Sequence, residues 1–252
     1  MPVAATYHRL VRLCESLRVT VLDDEHPAGS TDGRLSTAEL ATDPRALDAA
    51  VEGEAARIRA GHGHAAPPHV AASRLLHSHL WAVGLLVSGP WYLAGQVPRL
   101  SPERVWTDPV TGDLAIAPGG HAEPLPAEAP DAVRAALAEY AQPLVDAFGP
   151  RTRRGPRALW GMAADDLVSG VWYLGRMLGE EARALRVADS LVPGGAGFRT
   201  LRGASGRTYP TRTRAGCCLY YKIRPAETCL TCPRLGDNER LERLEAEAVV
   251  AG

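Results

Sequence analysis

The chain has 252 residues, 46 % of them hydrophobic and 23 % charged, with a formal net charge of −1. That balance belongs to an ordinary globular protein of one large or two small domains, and it excludes the strongly basic composition that nucleic acid or an anionic membrane would call for. The longest strongly apolar stretch, Leu80 to Val87, falls short of the about 20 residues that a bilayer requires, and five cysteines without an opening secretory signal imply free thiols in a soluble, cytoplasmic protein.

In chain order, apolar spacing from Tyr7 to Leu17 predicts a first helix, with Cys14 as a small buried apolar residue. Ser36 and Glu39 form a capping box, and Asp43-Pro44 supplies an N-cap and a first-turn proline for a helix running toward Arg59. The stretch from Gly61 to Pro68 breaks that helix. A long apolar helix follows from about Val70, which Pro90 is expected to kink or end. Val105-Trp106-Thr107 and Leu114-Ala115-Ile116, joined through Asp108 to Asp113, predict a β-hairpin. Further helices are expected near 130–147, interrupted by Pro143, and over 157–178 and 180–191. From Pro193 to Gly216 the sequence becomes rich in glycine and arginine, the pattern of a solvated loop with a short hairpin.

Within the helical region Leu86-Val87-Ser88-Gly89-Pro90-Trp91-Tyr92-Leu93 recurs as Leu167-Val168-Ser169-Gly170-Val171-Trp172-Tyr173-Leu174, and a Leu-Trp pair precedes each copy at Leu80-Trp81 and Leu159-Trp160. A spacing of about eighty residues is too long for a solenoid, so it predicts a duplicated helical unit whose copies pack about a pseudo-twofold axis. Trp and Tyr at helical spacing among leucines are first of all core residues. The seam between the copies is where Trp91, Tyr92, Trp172 and Tyr173 would instead line a cleft for a bulky substrate.

Other polar groups carry less. His62, His64, His69, His77 and His79 have no carboxylate completing a metal motif, and His77 and His79 point to different faces of a helix. Asp165-Asp166 is expected on the solvent side of a helical turn. The chain has neither a Walker loop nor a Gly-x-Gly-x-x-Gly after a strand, so it carries no evident nucleotide site.

The strongest chemical statement lies near the end, in Cys217-Cys218 and Cys229-x-x-Cys232. Two intervening residues let one short turn aim the sulfurs of Cys229 and Cys232 at a single metal. The vicinal pair can do the same only if the backbone folds sharply, a freedom that Gly216 offers. Pro233 follows the last cysteine, as in the Cys-Pro ending of bacterial ferredoxin motifs. Spacing alone leaves a tetrahedral zinc site, two disulfides or a [2Fe–2S] cluster, with disulfides disfavoured in a chain long enough to bury its own core.

The pattern Cys-Cys, ten residues, Cys-x-x-Cys resembles that of the FhuF-like ferric-siderophore reductases, cytoplasmic proteins whose [2Fe–2S] cluster is bound by this arrangement. The resemblance covers chiefly Gly216 to Pro233, with a looser likeness in the helical region before it. It implies a [2Fe–2S] cofactor on Cys217, Cys218, Cys229 and Cys232. It also implies one-electron reduction of a ferric siderophore, hydroxamates among the candidates, with release of Fe(II). Without a flavin or nicotinamide motif the electrons come from a separate donor such as a ferredoxin or a reductase. Arg214, Lys222, Arg224 and Arg234, close to the ligands in sequence, are the candidates for docking substrate or donor, while Leu219, Tyr220 and Tyr221 would shield the sulfurs.

The alternatives from other classes are a ferredoxin-like electron-transfer protein and a binding protein stabilised by zinc on the four cysteines. About two hundred residues ahead of the cluster exceed what a carrier requires. The expected fold is therefore α+β and predominantly helical. Residues 1–192 would be a duplicated helical, substrate-binding scaffold with small β-hairpins, and residues 193–252 a C-terminal iron–sulfur-binding segment packed on it.

Overall fold

A computed structural model describes residues 3–23, 26, 33–118, 130–225 and 227–250. Helix α1 (Val3–Leu13) buries Tyr7 and Leu10 and stops before the predicted Leu17, with Cys14 fully buried just beyond it. The capping box forms: Ser36 Oγ accepts from Glu39 N at 3.2 Å, Glu39 accepts from Ser36 N at 3.0 Å, and α2 (Thr37–Thr42) starts there. Asp43 caps α3 (Pro44–His62) by accepting from Arg45 N at 2.8 Å, and Gly63, at φ 74°, ends it in the left-handed conformation.

Helix α4 (Pro68–Ala94) passes through Pro90 and closes only at Gly95, so the proline does not end it. The ring removes one backbone donor, a local cost, while Leu85, Leu86 and Val87 before it and Trp91 and Tyr92 after it are buried and hold the helix by packing. By length and composition α4 is long and apolar enough to cross a membrane, more so than its Leu80–Val87 centre suggests. Yet 78 % of its most apolar window lies inside the protein, which makes it a core helix. Helix α5 (Pro130–Thr152) likewise runs uninterrupted through Pro143, with Tyr140, Leu144 and Val145 buried around it.

Helices α6 (Pro156–Met177) and α7 (Glu181–Ser190) match the expected positions, and α4 packs against α3, α5 and α6. The duplicated sequence lies on α4 and α6. Their contacts advance together: His77 meets Asp166, Gly84 lies against the Leu167 backbone, Gly170 against Leu85, and Tyr92 reaches Glu180 just past α6. The helices therefore run side by side in the same sense. A Cβ on Gly84 would stand 3.2 Å from Leu167 Cα, which is why glycine occupies this crossing.

The predicted hairpin is present as β3 (Val105–Thr107) and β4 (Leu114–Ile116), with Val105 opposite Ile116. Its turn is built by Asp108, whose carboxylate accepts from the amides of Val110 and Thr111, and by Gly112 at φ 77°. Two strands too short to show alternation complete the sheet: β1 (Val19–Val21) runs parallel to β4, and β2 (Leu35–Ser36) antiparallel to β3, in the order β1-β4-β3-β2. The glycine- and arginine-rich segment holds a second hairpin, β5 (Arg199–Arg202) with β6 (Thr208–Thr211). Helix α8 (Asp237–Val250), absent from the expected elements, follows the last cysteine turn.

Candidate metal centre

The two cysteine pairs are presented by two turns that the helical body holds in place. Cys232 N donates to Cys229 O at 2.9 Å, closing the turn that brings these two residues together. After the vicinal pair the chain folds back at Leu219, a non-glycine residue at φ 61°, and enters a short 3-10 turn, Tyr220–Lys222. A left-handed leucine costs about 1–2 kcal/mol and persists only where its surroundings enforce it. The sharp fold thus occurs at Leu219 and not at Gly216, whose φ is not positive. Glycine is needed at 216 because a Cβ there would stand 2.8 Å from Met162 N and 3.0 Å from Met162 Cα on α6.

Asp165 and Asp166, expected on the solvent side, are buried to 1 % and 0 % exposure and organise the centre. Asp165 accepts from Arg212 Nη2 and from Gly216 N, both at 2.6 Å. Asp166 accepts from Arg214 Nη2 at 2.5 Å and meets His77 Nδ1 at 2.9 Å. Burial works against the charge on Arg214, but Asp166 and Asp165 outweigh it and hold its pKa above the ordinary arginine value. Burying a pair of charges is tolerated only when their hydrogen bonds are made, and here two aspartates anchor two arginines and one backbone amide of the ligand segment.

The second turn is clamped from α8. Arg240 is fully buried, and donates from Nε to Leu230 O at 2.7 Å and from Nη2 to Cys232 O at 3.0 Å, with Asp237 receiving Nη1. Arg214 N donates to Thr231 O at 2.9 Å and ties the two ligand turns together, while Arg154 donates to Cys217 O. Neither Arg240 nor Arg154 announces this role in sequence, where α8 is not among the expected elements and Arg154 falls in the link between α5 and α6.

The four thiols are free, and lie within electrostatic reach of one another: Cys217 feels Cys218 and Cys232, and Cys229 feels Cys218 and Cys232. The hydrogen bond from Cys229 holds the Cys218 thiol well below its usual range, helped by His77, Arg74 and the Tyr220 amide against the effect of burial. As the donor in that bond Cys229 is pushed up, with burial adding to the shift. Burial raises Cys217, opposed by the Leu219 amide aimed at its sulfur and by Arg154. Backbone amides pointing at sulfur, together with flanking cations, are what a thiolate-bound cofactor needs to offset its negative charge.

These residues bring four free thiols within electrostatic reach of one another, a candidate metal centre. Residues 214–234 match the family model of the FhuF 2Fe-2S C-terminal domain, so the chain carries a domain of that family and its cofactor is a [2Fe–2S] cluster. None of the curated proteins matches the chain. Among the described residues no three His, Cys, Asp or Glu side chains gather closely enough to hold a metal ion by themselves. Cys217, Cys218, Cys229 and Cys232 would hold the cluster, Cys218 and Cys232 buried and Cys217 and Cys229 half-buried.

A cavity of about 620 Å³ adjoins the second turn. Leu230 and Thr231, the two residues between Cys229 and Cys232, form part of its wall, beside Arg214, His77 and the aromatic groups Trp81, Trp172, Tyr173 and Tyr209. Of the four aromatics in the duplicated sequence, Trp172 and Tyr173 line this cavity, while Trp91 and Tyr92 are buried in the core. The basic candidates divide in the same way. Arg214 is buried on the cavity wall, Arg224 is paired with Glu227, and Lys222 and Arg234 are exposed beside Tyr221.

Proposed function

We propose that the protein is a ferric-siderophore reductase that adds one electron to a chelated Fe(III) docked in the cavity beside the cysteine turns, releasing Fe(II). The observation that carries this reading is the shared wall: Leu230 and Thr231 bound the cavity on one side, so a ligand inside it would rest against the turn that carries Cys229 and Cys232. When bound, the cluster supplies single electrons. Oxygen chelators hold Fe(II) far less tightly than Fe(III), so one electron suffices for release, and neither a nucleophile nor a general base is required.

The chain's own residues bind and position the chelate. Trp81 and Tyr173 meet edge-on with ring centroids 5.6 Å apart and offer apolar faces to its organic shell. Arg176 lies over Trp172 at 5.4 Å and Arg207 over Tyr209 at 5.5 Å, which leaves their N–H groups for the oxygens of a ferric chelate such as a hydroxamate. Arg214 Nε is buried without a hydrogen-bond partner among the described residues, Asp165 Oδ2 standing 3.8 Å away, and provides a donor between cavity and thiols. On this reading residues 1–192 form the scaffold and residues 193–252 carry the centre, with both contributing to the cavity. Free thiols and a thiolate centre suit a reducing compartment, the cytoplasm.

The test is anaerobic. The loaded protein is reduced with dithionite, freed of excess reductant and mixed with ferric siderophores while visible absorption and trapped Fe(II) are followed. A reoxidation rate that saturates with chelate concentration, yields one Fe(II) per electron and loses its saturation in Trp172→Ala supports the reading. A rate that rises linearly for every chelate and is indifferent to Trp172→Ala reduces the protein to an electron carrier.

A further inference from the structure

A second cavity, of about 380 Å³, is walled by α4, by α3 and by the β3–β4 turn. His77 and Trp81 border it and also the cavity at Leu230 and Thr231, so the two cavities meet along α4. Arg74 lies on the same stripe of that helix, three residues before His77 and seven before Trp81, and it borders the second cavity only. At the rise of an α-helix, Arg74 stands about 10 Å along the axis from Trp81.

Three arginines and two carboxylates line this cavity, and two of the arginines are already engaged. Arg18 pairs with Asp113 at 3.3 Å, and Arg57 pairs with Glu54 at 2.7 Å while donating to Pro109 O at 2.7 Å. Arg74 is left over. An exposed arginine without a partner is hydrated and calls for nothing, but Arg74 is half-buried on a core helix. Of the arginines withdrawn from solvent, Arg34 and Arg74 alone make neither an ion pair nor a hydrogen bond among the described residues, and of these two Arg74 borders a cavity. Its guanidinium lies over the Tyr220 ring at 5.2 Å. A ring face engages the flat side of a guanidinium and leaves its in-plane N–H groups without an acceptor. Those groups form the fork that a carboxylate fits with two parallel hydrogen bonds, and the acidic side chains nearby are held by their own arginines.

We propose that the second cavity is a carboxylate subsite of the chelate-binding site, in which Arg74 receives a free carboxylate on an arm of the substrate while the ferric centre stays beside Leu230 and Thr231. The inference rests on the reductase reading and adds to it the substrate class, ferric chelates that carry an acidic arm. The arm passes His77 and Trp81, and must reach about 10 Å beyond the aromatic groups.

The experiment measures binding without turnover, using redox-inert gallium(III) complexes. One linear trihydroxamate is prepared with three tails: its terminal amine, the N-acetyl derivative and the N-succinyl derivative, which are cationic, neutral and anionic on the same metal-binding core. Each is titrated by calorimetry into the oxidised, loaded full-length protein and into Arg74→Gln and Arg74→Lys, which are first verified by thermal melting and visible spectrum. In the parent the succinyl tail is expected to bind about tenfold or more tighter than the acetyl tail, with the amine tail weakest. Arg74→Gln should remove the succinyl advantage and keep the acetyl affinity, with Arg74→Lys between. Equal affinities for the three tails in the parent overturn the inference, a comparison that needs no variant to fold. So does a succinyl advantage that survives Arg74→Gln, or an equal loss for all three tails in that variant. The iron(III) complexes are then mixed with the dithionite-reduced protein. Saturable reduction that ignores the tail leaves the reductase reading standing and the subsite refuted. The expected binding pattern without any reduction leaves the subsite standing and the reductase reading refuted.

Discussion

Arg212, in a segment whose composition predicts a solvated loop, donates to Asp165 at 2.6 Å inside the protein, with 3 % of the arginine and 1 % of the aspartate exposed. The same carboxylate holds Gly216 N, one residue before the first ligand. The position of the vicinal cysteines thus depends on a helix residue some fifty positions earlier in the chain.

Removing that carboxylate strands a buried arginine. Asp165→Ala is expected to cost about 3–5 kcal/mol, the usual penalty for breaking a buried ion pair. The loss should register in chemical denaturation of the apo protein, and iron and sulfide content should fall together with it. A melting midpoint equal to that of the parent would show that Arg212 finds another partner.

Gly216→Ala tests the close approach to α6. A methyl group directed at the Met162 backbone forces one segment to shift, at a cost of about 1–3 kcal/mol, and moves Cys217 with it. Gly61→Ala serves as the control, because nothing lies within 4 Å of a Cβ at that helical position, and it should leave the protein as stable or slightly more so. Equal cluster occupancy in both variants would refute the argument.

Ligand substitutions separate the two turns. Cys229→Ser or Cys232→Ser should abolish normal cluster assembly, seen as loss of visible absorption and of the spin-one-half signal after dithionite reduction. An unchanged spectrum in both variants would remove these residues from the ligand set.

The histidine network under the sheet predicts an acid limb to stability. His79 is buried among Thr37, Thr107 and Tyr140, and burial lowers its pKa from the ordinary 6.5 to about 4. Because its folded value lies below the unfolded one, the unfolded chain takes up the proton first as pH falls. The contribution of the neutral ring is complete above about pH 6.5 and is lost between there and about pH 4, a change on the order of 3 kcal/mol. In denaturant titrations at pH 7 and pH 4.5, His79→Gln should be less stable than the parent at the higher pH and show a shallower decline between the two.

Much of this architecture was legible in local chemistry. The Ser36–Glu39 box, the Asp43-Pro44 start and the Val105–Ile116 hairpin are set by residues a few positions apart, and they form as their chemistry dictates. Pro90 does not end α4 and Pro143 does not interrupt α5, because a proline's cost is local, whereas the burial that keeps these helices continuous comes from other helices. Asp165-Asp166 could have been placed inside, since three and four residues separate it from the buried Met162, on one arc of the helix. What concealed it was the absence of any sequence sign that Arg212 and Arg214 would arrive to pair with it.

The sequence by itself determined the four candidate ligands, because Cys217-Cys218 and Cys229-x-x-Cys232 are a matter of spacing along one short segment, and the match over residues 214–234 follows from the same segment. Only the tertiary structure decided what surrounds them. The Asp165 and Asp166 anchors and the cavity against Leu230 and Thr231 join residues distant in sequence, and the Arg240 clamp depends on a helix that spacing did not announce. Such contacts are fixed by how the helices pack, and side-chain spacing along one stretch of sequence does not encode them.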